Sequence, residues 1–250
     1  MSESLAKLKK LIDKCSAKEK AALLDYLKAR LSQHPLEKEW GVGGDVILSA
    51  ISRSNDLTKR GVRGIIAEAI FERYVVGRLD RWKAVAFTGD QPFDFLLRAK
   101  AGGGDDVRIQ VKLQRMKAQR PMMASEANRH FPSDQFVVEV QKTRGGIDPQ
   151  TGENTRPYRF GEFDILAVNM HPSAKNWNVF LFTLSKWLLP RHADAGLIEI
   201  FQPVPNRPNE HWTDSLEQCL EWLALDEDKK ILDISPELLK RKTRTRTPQV

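Results

Sequence analysis

The tightest constraint on this chain lies in residues 93–113. Phe93 to Leu97 and Val107 to Leu113 are runs of branched and aromatic residues, and AKAGGGDD (99–106) between them is turn chemistry, so the segment predicts a β-hairpin. Its polar residues stand out against that apolar pattern. Asp94 sits among Phe93, Phe95 and Leu96, while Gln110 and Lys112 interrupt Ile109, Val111 and Leu113. Residues two apart on a strand share a face, so Gln110 and Lys112 point the same way. Paired strands lie about 4.8 Å apart, which brings a carboxylate, an amide and an ammonium within reach of one another. A solvated sheet face with a cross-strand charge pair is the plain alternative.

Around the hairpin the periodicity alternates between helix and strand. Residues 4–33 carry Leu5, Leu8, Leu11 and Ile12, then Ala21, Leu24, Leu27 and Leu31, at helical spacing. Two amphipathic helices are predicted, and Ser16 followed by Glu19 has the form of a capping box that starts the second. Their apolar stripe either packs on the core or joins two subunits. Glycines at 41, 43 and 44 mark a boundary, and GVRGIIAEAIFERYVVGRLDR (61–81) predicts a long, largely buried helix. Further strands are expected at 84–87, 135–141, 163–168, 178–183 and 197–201, with a helix at 213–223. The expected fold class is α/β, with a central mixed β-sheet flanked by helices and an N-terminal helical hairpin. Residues 1–40 form the helical region, 41–238 the main domain and 239–250 a basic tail.

A formal charge of +7 points to a polyanionic partner, since counterion release favours contact with phosphates. Lys240, Arg241, Lys242, Arg244 and Arg246 supply five of the positive charges, so a basic tail serving non-specific DNA contact or mere solubility accounts for much of the excess. Cys15 and Cys219 have no metal-ligand or CxxC spacing and are expected to be reduced. No apolar run reaches membrane-spanning length and the N-terminus lacks a signal-peptide core, so a cytoplasmic protein with no membrane association is expected. The absence of a Walker loop, GxGxxG or GxSxG argues against a nucleotide cofactor, an ATP-driven motor or a serine hydrolase. His171, His192 and His211 show no metal-ligand spacing, and Trp177, Trp187, Trp212 and Trp222 read as core or subunit-interface residues.

Phosphodiester hydrolysis needs a nucleophilic water, charge neutralisation at phosphorus and a stabilised leaving oxygen, and Mg²⁺ can serve all three. Asp94, the Gln110 side-chain carbonyl and the Val111 backbone carbonyl are hard oxygen donors suited to that ion. Lys112 would orient or help deprotonate the water and stabilise negative charge. PFDFLL, a spacer and IQVKLQR resemble the core of the PD-(D/E)xK nuclease superfamily, with Pro92-Phe93-Asp94 as the first element and Gln110-Val111-Lys112 as the second. Phe93 is inserted between proline and aspartate, and Gln110 stands where the family usually has an acid, which resembles the QxK variant of some restriction endonucleases. The resemblance implies a further acidic ligand from the preceding helix. Glu68 fits that place, with Glu72 as its rival.

What the resemblance implies is a type II restriction endonuclease that makes site-specific double-strand breaks in DNA with Mg²⁺. It also implies a homodimer, because a two-fold protein matches a two-fold site. A repair or recombination nuclease of the same fold, and a non-catalytic DNA-binding protein, are the alternatives. Residues 138–168 add a basic loop between two strands, also similar to parts of type II restriction enzymes. Lys142, Arg144, Arg156 and Arg159 flank it, and Tyr158 offers a ring for stacking or hydrogen bonding. Gln114 and Arg115, shortly after Lys112, are expected either to contact DNA near the scissile bond or simply to end the strand. Asp164 is a salt-bridge candidate for Arg156 or Arg159. A surface hairpin with solvated arginines is the alternative for this loop.

Overall fold

A computed structural model describes residues 2–28, 30, 34–142, 145 and 156–239. They fall into two compact units divided between Lys59 and Arg60. The basic tail from Lys240 onward and Arg144 lie outside the described residues.

The first unit is helical: α1 (Glu3–Lys14), α2 (Ala17–Lys28), α3 (Pro35–Trp40), α4 (Gly44–Arg53) and the start of α5 (Asp56–Tyr74). The capping box forms as expected, with the Ser16 N–H donating to Glu19 Oε2 at 2.7 Å and the Glu19 N–H to Ser16 Oγ at 3.3 Å. The glycine break does not divide the two units. Gly41, at φ 65°, ends α3 in the left-handed conformation that glycine adopts without strain, and Gly43 precedes α4. These glycines are therefore helix punctuation within the first unit.

The second unit takes up the rest of α5 and continues with β1 (Trp82–Ala84), β2 (Phe95–Ala99), β3 (Val107–Leu113), β4 (Met116–Lys117), β5 (Arg120–Pro121), α6 (Ala124–Ala127) and β6 (Phe136–Glu139). It ends with β7 (Ile165–Asn169), α7 (His171–Ala174), β8 (Phe180–Leu184), β9 (Phe201–Val204) and α8 (Leu216–Leu225). The architecture is α/β, built on a mixed five-stranded sheet in the order β1-β2-β3-β7-β8. β2 and β3 form the expected antiparallel hairpin, with Phe95 opposite Ile109. β3 and β7 run parallel, and β1 and β8 are antiparallel edges. β6 and β9 make a separate antiparallel pair. Leu197 and Ile198, expected within a strand, take part only in isolated bridges, and β9 begins at Phe201.

β7 and β8 are buried at every position, the mark of strands covered on both faces. α5 packs through Phe71, whose ring lies 5.0 Å from that of Phe95 and 5.5 Å from that of Phe180. Trp187 and Trp212 are core residues, as their apolar surroundings predicted. Among the described residues, no helix is long and apolar enough to cross a membrane.

Candidate active site

β3 is central in the sheet, so a side chain on either face meets protein rather than bulk water. Gln110 is accordingly only 2% exposed and Lys112 is half-buried. Asp94 lies just before β2, and its backbone N–H still donates to the Ile109 carbonyl at 2.9 Å, which continues the hairpin ladder and turns the carboxylate toward β3. Oδ2 of Asp94 accepts from the Val111 N–H at 2.8 Å and from the Gln110 amide nitrogen. That amide nitrogen also lies 3.3 Å from the Val111 carbonyl. The hairpin alone thus assembles Asp94, Gln110 and Val111.

Glu68 arrives from α5. Ala67 and Phe71 on that helix are fully buried, and their packing fixes the rotation that leaves Glu68 half-buried and Glu72 exposed. Burial first, then the charge of Asp94, pushes the Glu68 carboxyl up to about 7, while Lys112 opposes the shift. Asp94 is likewise pushed up by burial, against the pull of Lys112 and of its two hydrogen bonds. Burial pushes the Lys112 ammonium below the usual lysine value, and Asp94, Glu68 and Glu139 pull it back. Two acids and one base therefore act on one another in a poorly solvated space, and each is moved toward its neutral form. Among Glu68 and Glu72, only Glu68 is part of this cluster.

The remaining predicted residues divide. Tyr158 is 4% exposed, and its hydroxyl donates to Gln110 Oε1 at 3.0 Å and accepts from Lys112 Nζ at 3.3 Å. It belongs to the cluster, rather than offering a ring to a nucleic-acid base. Lys142 pairs with Glu162 at 2.7 Å, and its ammonium lies 5.4 Å from the Tyr158 ring centre. Gln114 is 1% exposed with its side-chain oxygen accepting from the Ser173 N–H at 2.9 Å, which holds it inside the protein instead of at a DNA-facing surface. Arg115 pairs with Glu139 at 3.1 Å. Arg156 and Arg159 are exposed, flanking the part of the loop outside the described residues. Asp164 pairs with Arg108, at 2.7 Å, and not with the loop arginines.

Sequence reasoning missed Glu139 and the inward role of Tyr158. Glu139 had a signal, since an acid in the apolar strand run FVVEV is the same kind of exception as Asp94. Tyr158 had none beyond its polar tip.

Among the described residues, no group of three His, Cys, Asp or Glu side chains converges closely enough to hold a metal ion. The oxygen donors nearest to such a role are Asp94 and the Val111 carbonyl, joined through the Gln110 amide, and Glu68, whose carboxyl feels the charge of Asp94. All are hard oxygens, and the two carboxylates resist sharing one poorly solvated space without a positive charge beyond Lys112. Hard oxygen donors of this kind are the type that a hard cation such as Mg²⁺ prefers. The Gln110 carbonyl is not among them, because it faces Tyr158. Comparison with protein-family models, curated proteins and solved structures gave no significant match to this chain.

Proposed function

We propose that this chain is a Mg²⁺-dependent DNA endonuclease, most specifically a type II restriction endonuclease that hydrolyses both strands at a specific site as a homodimer. The observation that carries the reading is the mutual electrostatic coupling of Glu68, Asp94 and Lys112, drawn from a helix and the two arms of one hairpin. Those residue types, in that chain order, are what the PD-(D/E)xK resemblance calls for. The net charge of +7 and the exposed Arg156 and Arg159 suit a phosphate backbone as partner.

In this reading Glu68, Asp94 and the Val111 carbonyl would hold the ion, which would supply charge neutralisation at the scissile phosphate. Lys112 reaches the same place with an ammonium that burial has made readier to give up its proton. It orients the attacking water and balances negative charge as water adds to phosphorus and the P–O bond to the leaving oxygen breaks. Tyr158 accepts a hydrogen bond from that ammonium, and the charge of Glu139 favours its protonated form.

A second reading, a DNA-binding protein that keeps the scaffold without chemistry, draws support from the neutral Gln110 and from the absence, among the described residues, of three side chains converging as metal ligands. One experiment separates the two. Purified protein is incubated with phage DNA, with and without Mg²⁺ or Mn²⁺, and the products are resolved on a gel. Discrete fragments that require metal are expected. Structure-selective nicks instead indicate a repair or recombination nuclease, and intact DNA that is nonetheless bound under every metal condition overturns the enzymatic reading.

A further inference from the structure

We infer that Tyr158 is a positioning residue of this site: its hydroxyl locks the Gln110 amide with the nitrogen toward Asp94 and the oxygen turned away from the carboxylates. The catalytic consequence rests on the nuclease reading, whereas the hydrogen-bond chain itself does not.

The chain of bonds has only one consistent direction. Lys112 Nζ lies 3.3 Å from the Tyr158 hydroxyl, which lies 3.0 Å from Gln110 Oε1. An ammonium only donates and an amide oxygen only accepts, so the phenol must accept from Lys112 and donate to Gln110. At the other end of the amide, the nitrogen meets two acceptors, Asp94 Oδ2 and the Val111 carbonyl, and it has two hydrogens to give them. Turning the amide over would set its oxygen against a carboxylate and a carbonyl and leave the phenol proton facing an N–H. For a side chain 2% exposed, no water shell is present to absorb that mismatch.

Tyr158 can impose this direction because it is itself held. Its ring meets Phe163 edge-on at 5.3 Å, Lys112 and Lys142 place ammonium groups 5.3 and 5.4 Å from the ring centre, and its backbone carbonyl accepts from the Ile198 N–H at 2.8 Å. The bonds from Lys112 through Tyr158 and Gln110 to Asp94 then tie the base to the carboxylate through neutral groups. Glutamine at 110 acts as a spacer that orients Asp94 Oδ2, leaving Oδ1 for other partners, and not as a weak substitute for an acidic ligand.

Tyr158→Phe keeps the ring on Phe163 and removes only the hydroxyl, and Gln110→Met cuts the same chain from its other end. In protein without DNA or metal, the Gln110 side-chain amide should give a dispersed, slowly exchanging proton–nitrogen pair, assigned by its loss in Gln110→Met. In Tyr158→Phe that pair should exchange about tenfold faster or more while the remaining spectrum is retained. DNA cleavage by Tyr158→Phe should fall about 10- to 100-fold in kcat with KM for DNA within about twofold. The double variant should be no worse than the weaker single, because both break one chain. An unchanged Gln110 amide in folded Tyr158→Phe overturns the positioning role, and so does a raised KM with intact kcat, which makes Tyr158 a DNA contact. If Tyr158→Phe does not fold, the Tyr158 hydroxyl proton carries the test: it should exchange faster in Gln110→Met than in the wild type, and equal exchange overturns the proposal. A wild-type protein that never cuts DNA, together with a loosened Gln110 amide in Tyr158→Phe, upholds the hydrogen-bond chain and overturns the nuclease reading instead.

Discussion

Two acid–base clusters share one face of β3 and resolve their charges differently. Toward the start of the strand, Arg108 meets Asp164 one to one, with Nε and a terminal nitrogen on the two carboxylate oxygens at 3.0 and 2.7 Å and the Arg108 backbone N–H adding a third bond at 2.8 Å. Four residues on, Lys112 feels the charges of Asp94, Glu68 and Glu139 with no single matched partner, and the Glu68 carboxyl is pushed up to about 7. A matched, fork-shaped pair is complete as it stands and its role is to fix the crossing of β3 with the segment before β7. An unmatched cluster in a poorly solvated space is held in place by the surrounding fold, and it is the kind of arrangement that accumulates at functional sites.

The largest effects are expected at the unmatched cluster. Under the nuclease reading, Lys112→Ala or Asp94→Ala should lower the cleavage rate by about a thousandfold or more while DNA binding changes little, because each removes chemistry more than contacts. Single-turnover cleavage beside a filter-binding isotherm measures both, and wild-type cleavage by either variant refutes the site.

A smaller effect tests the stored conflict. The Glu68 carboxyl holds its proton more tightly in the folded protein, at about 7 against 4.5, so the folded state binds more protons than the unfolded between those values. Stability should therefore fall as pH rises through that window, and the penalty should be complete above about pH 7. Glu68→Gln removes the titration. Without metal, the variant should match the wild type near pH 4 and exceed it near pH 8 by about 2 kcal/mol, less than the full shift represents because water screens a half-buried carboxyl, as read by urea denaturation at both pH values. A stability difference that does not vary with pH contradicts the assignment.

The smallest effect sharpens the contrast from the other cluster. Asp164→Ala strands the Arg108 guanidinium and should cost about 1–2 kcal/mol in stability, with the cleavage rate per folded molecule unchanged. A large loss of rate in a folded Asp164→Ala protein would mean that the two clusters act as one.

Much of the fold was legible in the chain because its signals are local. Val107–Leu113 is a strand with the predicted bounds, the hairpin pairs as expected, and Ser16 with Glu19 caps its helix. The expected mixed α/β sheet is present. Less legible were α3 and α4, because short helices on either side of a glycine break carry too few turns for periodicity to stand out. The first unit shows a further limit. Leu5, Leu8, Leu11 and Leu24 are exposed there, and among its described residues none is buried, so an apolar stripe announced a helix face without saying what covers it.

The same division runs through the candidate site. Asp94, Gln110 and Lys112 could be brought together from sequence because hairpin pairing and strand alternation relate residues about twenty apart by simple geometry. Alternation placed Gln110 and Lys112 on one face, and a strand cannot do otherwise. Which glutamate of α5 faces them depends on how Ala67 and Phe71 seat the helix, and Tyr158 reaches Gln110 across 48 positions of chain. The direction of the Gln110 amide, the burial of Gln114 and the choice of Arg108 as partner for Asp164 are likewise decided by atoms distant in sequence. Local covalent geometry is written in the order of residues, whereas desolvation and hydrogen-bond direction exist only once the surrounding elements have closed around them.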